Sequence, residues 1–158
     1  AFILFGDVEL TVKCAEALLK IAPEYDVMIT AEAKSIPLIH EMARQSGENE
    51  YVIARKGVKV YMKNPLEVSV NSITTQHEQK LYIGEKEVNM LKGKKVLIVD
   101  DVISTGESLR AIETLVERAG GTVCGRMAVL AEGDAQKRDD LIYLEKLPLF
   151  DKDGNVID

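Results

Sequence analysis

The chain has 158 residues, with 20 Lys and Arg against 26 Asp and Glu, which gives a formal charge of −6. An acidic balance argues against a general nucleic-acid or anionic-membrane binder, since either needs a basic face. With 46% apolar and 29% charged residues, the composition is that of one globular domain over residues 1–158, long enough to bury a core.

Residues 7–22 place Val8, Val12, Ala15, Leu18, Leu19 and Ala22 at three-to-four spacing, with Asp7 able to cap the first turn and Pro23 ending it, so a helix is expected. Residues 26–30 (DVMIT) read as a short buried strand. Residues 36–44 return to helical spacing behind a candidate cap at Ser35, with Pro37 early, where proline is tolerated. Residues 51–55 (YVIAR) are another buried-strand candidate. Residues 57–84 carry Gly57, Asn64, Pro65 and Gly84. Their polar crown, Ser72, Ile73, Thr74, Thr75, Gln76 and His77, has nothing to bury, so a long mobile hairpin is expected.

Residues 95–99 (KVLIV) form the clearest strand, and a helix is expected over 105–119, stopped by Gly120 and Gly121. Residues 122–131 and 141–144 read as further strands, and 151–154 as a turn. Strands alternating with helices imply an α/β fold, a mostly parallel sheet flanked by helices with right-handed crossovers. Cys14 and Cys124 fall in helix and strand and are expected to be buried small hydrophobes rather than a disulfide. His40 and His77 are isolated, so no metal-ligand cluster is expected. No apolar run approaches the roughly 18 residues of a membrane span, and no secretory leader pattern is visible. A cytoplasmic location and no membrane partner are therefore expected.

The segment 96–108 (VLIVDDVISTGES) concentrates the chemistry. An apolar strand ends in two carboxylates, and a short loop then enters a helix, at the end of the sheet where open parallel sheets bind ligands. Ser104, Thr105 and Ser108 supply hydroxyls, Gly106 allows close backbone approach, and amides at the helix start favour an anion. That is a phosphate cradle. Asp100 and Asp101 cannot bind phosphate themselves; they suit vicinal hydroxyls or a hydrated magnesium ion beside it. A phosphorylated ribose has both features. The competing account is a capping box at Ser104 and Glu107 that merely starts a helix, with the paired aspartates solvated. A Walker loop is excluded, because Gly93-Lys94 is followed by Lys95, and no dinucleotide-binding glycine fingerprint is present.

VLIVDDVISTGES resembles the phosphoribosyl-pyrophosphate signature of type I phosphoribosyltransferases, and the element order agrees over most of residues 7–147. The resemblance implies that Asp100 and Asp101 hold the ribose hydroxyls, while Ser104, Thr105, Gly106, Glu107 and Ser108 bind the 5′-phosphate. It also implies that the loop 31–35, with Ala33, Lys34 and Ser35, faces pyrophosphate together with Arg55 and Lys56. Asp100, Asp101, Lys34 and Arg55 would then be the catalytic set. The hairpin 57–84 corresponds to a loop closing over the site. Such enzymes transfer ribose 5-phosphate from phosphoribosyl pyrophosphate to a nucleobase, with Mg2+ held mainly by substrate and water, usually as homodimers and with no nucleic-acid partner.

Among subclasses the chain looks most like adenine phosphoribosyltransferases, in which Ile103 would lie against the base. Ser104 stands where 6-oxopurine enzymes carry an aspartate. The Glu-Tyr pair of the adenine enzymes' mobile loop has no counterpart in Ser72 to Gln76, which leaves the acid that protonates the base unassigned. The resemblance implies a hood, expected here to be truncated, minimal, or replaced by residues 147–157. The alternative function is a phosphoribosyl-pyrophosphate-sensing transcriptional regulator without turnover. Arg55, Lys56, Lys59 and Lys63 form an acid-free stretch over residues 55–63 with a local charge of +4. It suits a departing pyrophosphate, with a solvated edge strand as the competing account.

Overall fold

In the computed structural model, which describes residues 2–70 and 79–157, the chain forms twelve elements. They are α1 (Val8–Ile21), β1 (Val27–Ala31), α2 (Ile36–Ser46), β2 (Val52–Ala54), β3 (Leu66–Val70), β4 (Gln79–Ile83), α3 (Glu85–Leu91), β5 (Lys95–Ile103), α4 (Glu107–Arg118), β6 (Thr122–Glu132), a 3-10 turn (Gly133–Lys137) and β7 (Ile142–Leu147). Five strands join in the order β2-β1-β5-β6-β7, all pairs parallel, as the alternating pattern predicts. β3 and β4 form the expected hairpin as a separate antiparallel pair. The crown residues Ser72, Ile73, Thr74, Thr75, Gln76 and His77 lie outside the described residues.

Parallel strands covered on both faces must be apolar on both faces, and β5 is. Val96 and Ile98 pack on one side with Val27 and Ile29, under α4 and the hairpin residues Val68, Leu81 and Ile83. Leu97 and Val99 pack on the other with Met28, under α1 and α2. Asp7 caps α1 as expected, its side chain accepting the Leu10 amide at 3.0 Å. Cys14 is buried; Cys124 is only half-buried, and both are free thiols. Among the described residues no helix is long and apolar enough to cross a membrane.

Three local expectations change. β5 runs past Val99 to Ile103, carrying Asp100 and Asp101 inside the strand, because pairing with β6 continues through Asp100–Ala128 and Ile103–Ala131. α4 starts later than Thr105: Gly106 takes the cap position with φ +82°, a left-handed conformation that glycine adopts at little cost. α3, a single short helix, was not apparent in the sequence, since EKEVNML has few apolar positions and buries only Leu91.

If this two-sided burial dominates, Ile98→Ala will cost roughly 2–5 kcal/mol in chemical denaturation, against about 1 kcal/mol for Asp7→Ala. Equal losses would place the weight on capping instead.

Candidate functional site

β2 lies on one side of β1 and β5 on the other, so the chain leaves β1 for α2 on one face of the sheet and leaves β5 for α4 on the opposite face. A crevice opens between two such exits at the carboxyl ends of the strands. A cavity of about 230 Å³ occupies it. Ala33, Lys34 and Ser35 line it from the loop after β1, Lys56 from the segment after β2, Asp100 and Asp101 from β5, and Ser108 from the first turn of α4. The second strand of the hairpin, β4, closes one wall with Gln79 and Leu81.

Ser35 joins the two exits. Its hydroxyl donates to Asp100 Oδ1 at 2.7 Å and accepts the Asp101 backbone N–H at 2.9 Å. Asp100 Oδ1 also accepts the Asp101 N–H at 2.8 Å, and Asp101 Oδ1 accepts that of Val102 at 2.8 Å. Ser35 therefore does not cap α2 with its side chain as the sequence suggested; the carboxylates take the hydroxyl instead. Asp101 is buried, while Asp100 keeps a partly open edge. Desolvation, followed by the contact with Asp101, pushes the Asp100 carboxyl up to about 7.

The loop 31–35 is tied to the neighbouring strand by Glu32. Its Oε1 accepts the Lys56 backbone N–H at 2.6 Å and lies 3.3 Å from Arg55 Nε; the amide bond, then the Arg55 charge, holds this carboxyl below the usual range. The Glu32–Ala33 peptide is cis. Lys34 and Lys56 are exposed at the cavity and form no ion pair among the described residues.

Other expected site residues lie elsewhere. Arg55 does not line the cavity: it donates from Nη1 to the Tyr61 hydroxyl at 2.6 Å and borders a separate depression with Tyr61 and His40. Consecutive residues leaving a strand point to opposite sides, so placing Lys56 in the cavity turns Arg55 away from it. Ile103 is 3% exposed, packed in the apolar layer with Leu109 and Ala131 rather than offered to a base. Ser104 and Thr105 form the loop ahead of α4, with Gly106 and Glu107 at its start. The capping box does not form, because the Ser104 hydroxyl lies 3.4 Å from Glu132 Oε1 instead.

A family model described as the phosphoribosyl transferase domain matches residues 9–155. The chain belongs to this family. A protein from Methanocaldococcus vulcanius named as a hypoxanthine/guanine phosphoribosyltransferase is 40% identical over 110 residues, covering 70% of this chain and 56% of that protein. One of the same name from Methanotorris igneus is 37% identical over 136 residues, covering 84% and 70%. The adenine phosphoribosyltransferase structure from Thermoanaerobacter pseudethanolicus superposes with a TM-score of 0.75 at 25% identity, covering 91% of this chain and 84% of that one. The chain spans about half the length of the first curated relatives it matches, 56% and 54%.

For a phosphoribosyl transferase domain, the sequence reading missed Gln79, Leu81 and Val102 in the cavity wall, and the tethering role of Glu32. Glu32 was findable as the acid within AEAKS. Gln79 and Leu81 were not, because only the hairpin's packing brings them over β5.

Asp100 carries its own pH signature. A folded-state pKa raised above the unfolded value contributes stability that is present below the unfolded pKa, near 4, and is lost as pH rises through about 7. Asp100→Asn should therefore stabilise the free protein at pH 8 by on the order of 1 kcal/mol, allowing for screening at the open edge, and the gain should vanish near pH 4. Thermal melts at the two pH values measure this; a variant less stable than the parent at pH 8 would contradict it.

Proposed function

We propose that the chain transfers the ribose 5-phosphate group of phosphoribosyl pyrophosphate to a purine base and releases pyrophosphate. The convergence of Lys34, Ser35, Lys56, Asp100, Asp101 and Ser108 on one cavity at the sheet's switch point carries this reading. The ribose hydroxyls would meet Asp100 and Asp101, whose Oδ1 atoms are engaged internally, so recognition falls to Oδ2. Serine hydroxyl and loop amides at residues 104–108 would take the 5′-phosphate. Lys34 and Lys56 would supply countercharge where pyrophosphate departs.

Transfer requires the bond from the sugar to pyrophosphate to break as the base nitrogen bonds to the same carbon. Positive charge builds on the sugar and negative charge on the leaving group, so the chain's task is positioning and countercharge. Among the described residues no cluster of three or more His, Cys, Asp or Glu could by itself hold a metal. Two carboxylates beside a polyanion site nevertheless fit Mg2+ shared with substrate oxygens and water. Asp100 and Asp101 would be its neighbours on the chain, and the ion supplies further charge neutralisation when bound.

For the base, our reading is a purine. Adenine follows from the resemblance of the motifs and from the structural neighbour; hypoxanthine or guanine is the second reading, favoured by the 37–40% identity to proteins so named. A homodimer is part of the proposal, with the exposed Val58, Val60 and Tyr61 of the basic segment as its contact.

A panel of adenine, hypoxanthine, guanine, xanthine, uracil and orotate with Mg2+ and phosphoribosyl pyrophosphate, read by pyrophosphate release, tests the activity. Release is expected with one or more purines; tight binding without release from any base would replace the enzyme by a sensor. Lys34→Ala and Lys56→Ala should each lower kcat/KM about 10- to 100-fold, the worth of one charge-assisted contact. Arg55→Ala should cost less, and a loss matching that of Lys56→Ala would return Arg55 to the site.

A further inference from the structure

Arg138 lies outside the VLIVDDVISTGES segment and does not line the cavity, yet its guanidinium sits against the loop that begins α4. A Cβ built on Gly106 would lie 2.7 Å from Arg138 Nη1. The guanidinium is held in a fixed plane by Asp140: Nε donates to Oδ1 at 2.8 Å and Nη2 to Oδ2 at 2.7 Å. Behind it, Glu113 Oε1 lies 4.0 Å from Nη2 and is itself paired with Arg126 Nε at 2.9 Å. Two of the three guanidinium nitrogens are thus turned toward acids on the far side. Nη1 faces the loop and has no hydrogen-bond partner among the described residues.

We propose that Arg138 is a further phosphate-binding residue, presenting Nη1 across Gly106 to the 5′-phosphate held by residues 104–108. The inference rests on the ribose-phosphate reading of that loop given above. The loop amides and helix dipole supply only about half an elementary charge, whereas a phosphate monoester carries nearly two. Lys34 and Lys56 belong to the loops after β1 and β2, and the α4 loop needs a cation of its own. An arginine already fixed by a bidentate carboxylate loses little freedom on meeting a second anion. A role confined to stability explains less, because an exposed ion pair such as that with Asp140, whose partners are 32% and 46% exposed, contributes little to folding. Gly106 gains a second reason for being glycine: besides the positive φ, any side chain there would displace the guanidinium.

Calorimetry on the full chain with two probes, ribose 5-phosphate and inorganic pyrophosphate, tests this. Arg138→Gln should weaken ribose 5-phosphate binding roughly 10- to 100-fold and leave pyrophosphate affinity unchanged, with a melting temperature close to the parent's. If the glutamine variant does not fold, Arg138→Lys takes its place. Lysine keeps the charge near Asp140 but cannot hold both carboxylate oxygens and also reach the loop, so the same selective loss is expected. Unchanged ribose 5-phosphate affinity in a folded variant overturns the role of Arg138 while leaving the reading of the site intact, and so does an equal loss for both probes accompanied by a lowered melting temperature. If the parent chain binds neither probe, the site reading falls and this inference falls with it.

Discussion

The Ser35 hydroxyl is the joint on which the site depends. It connects the start of α2, on one face of the sheet, to the end of β5, whose following helix lies on the other. A buried hydroxyl must find partners, and a carboxyl at the edge of a low-dielectric crevice must find donors; here each satisfies the other. With Asp101 N–H and Val102 N–H also donating into the pair, both carboxyls are oriented before any ligand arrives. The arrangement is costly on its own, because two acids sit side by side with Asp100 pushed toward neutrality. Such strain has no use in folding; it has one if a ligand brings hydroxyl donors or a cation to the same oxygens.

Charge is distributed accordingly. The chain is acidic overall, and part of that excess lies in residues 132–158, where eight acids face four bases. Asp140 from that segment fixes Arg138 at the loop before α4. Glu32 plays a comparable part on the opposite side, organising the backbone of Lys56 so that its side chain can face the cavity. Lys34 and Lys56 are exposed and contribute little to stability as they stand. Their attraction for an anion strengthens when ligand displaces the intervening water, since the same separation counts for several times more at lower effective dielectric. Under the proposed reading an acidic chain holds a polyanion with few cations by using acids to orient some of them, Asp140 for Arg138 and Glu32 for the Lys56 backbone.

The sequence made the sheet legible where burial was two-sided. Val96 to Val99 could hardly be anything but a central strand, and of the polar residues after it Asp100, Asp101 and Ser108 do line the cavity. The strand's true end was hidden, since Asp100 and Asp101 pair with β6 through backbone groups that carry no hydropathy signal. Side-chain direction was hidden as well: Arg55 and Lys56 look equivalent in sequence, but their alternation at the end of β2 sends Lys56 to the cavity and Arg55 to Tyr61. Ser35 read as a cap because serine before a helix usually is one. Its partner lies 65 residues ahead, beyond the reach of any local rule.

The two kinds of relatives carry differently named bases on one framework, and the geometry explains how both can be true. Under the proposed reading the polar part of the cavity lining suits sugar, phosphate and leaving group, with carboxylates for hydroxyls and cations for anions, while Leu81 and Val102 form an apolar wall. Ile103, the residue expected beside the base, is sealed in the core. A fold that fixes one half of a reaction leaves the other half to residues outside that framework. The structural likeness to the adenine enzyme is a likeness of this framework, on which the proposed phosphoribosyl half rests. On the proposed reading base choice rests with other residues, where small changes in hydrogen-bonding pattern separate one purine from another without disturbing Ser35 and its two carboxylates.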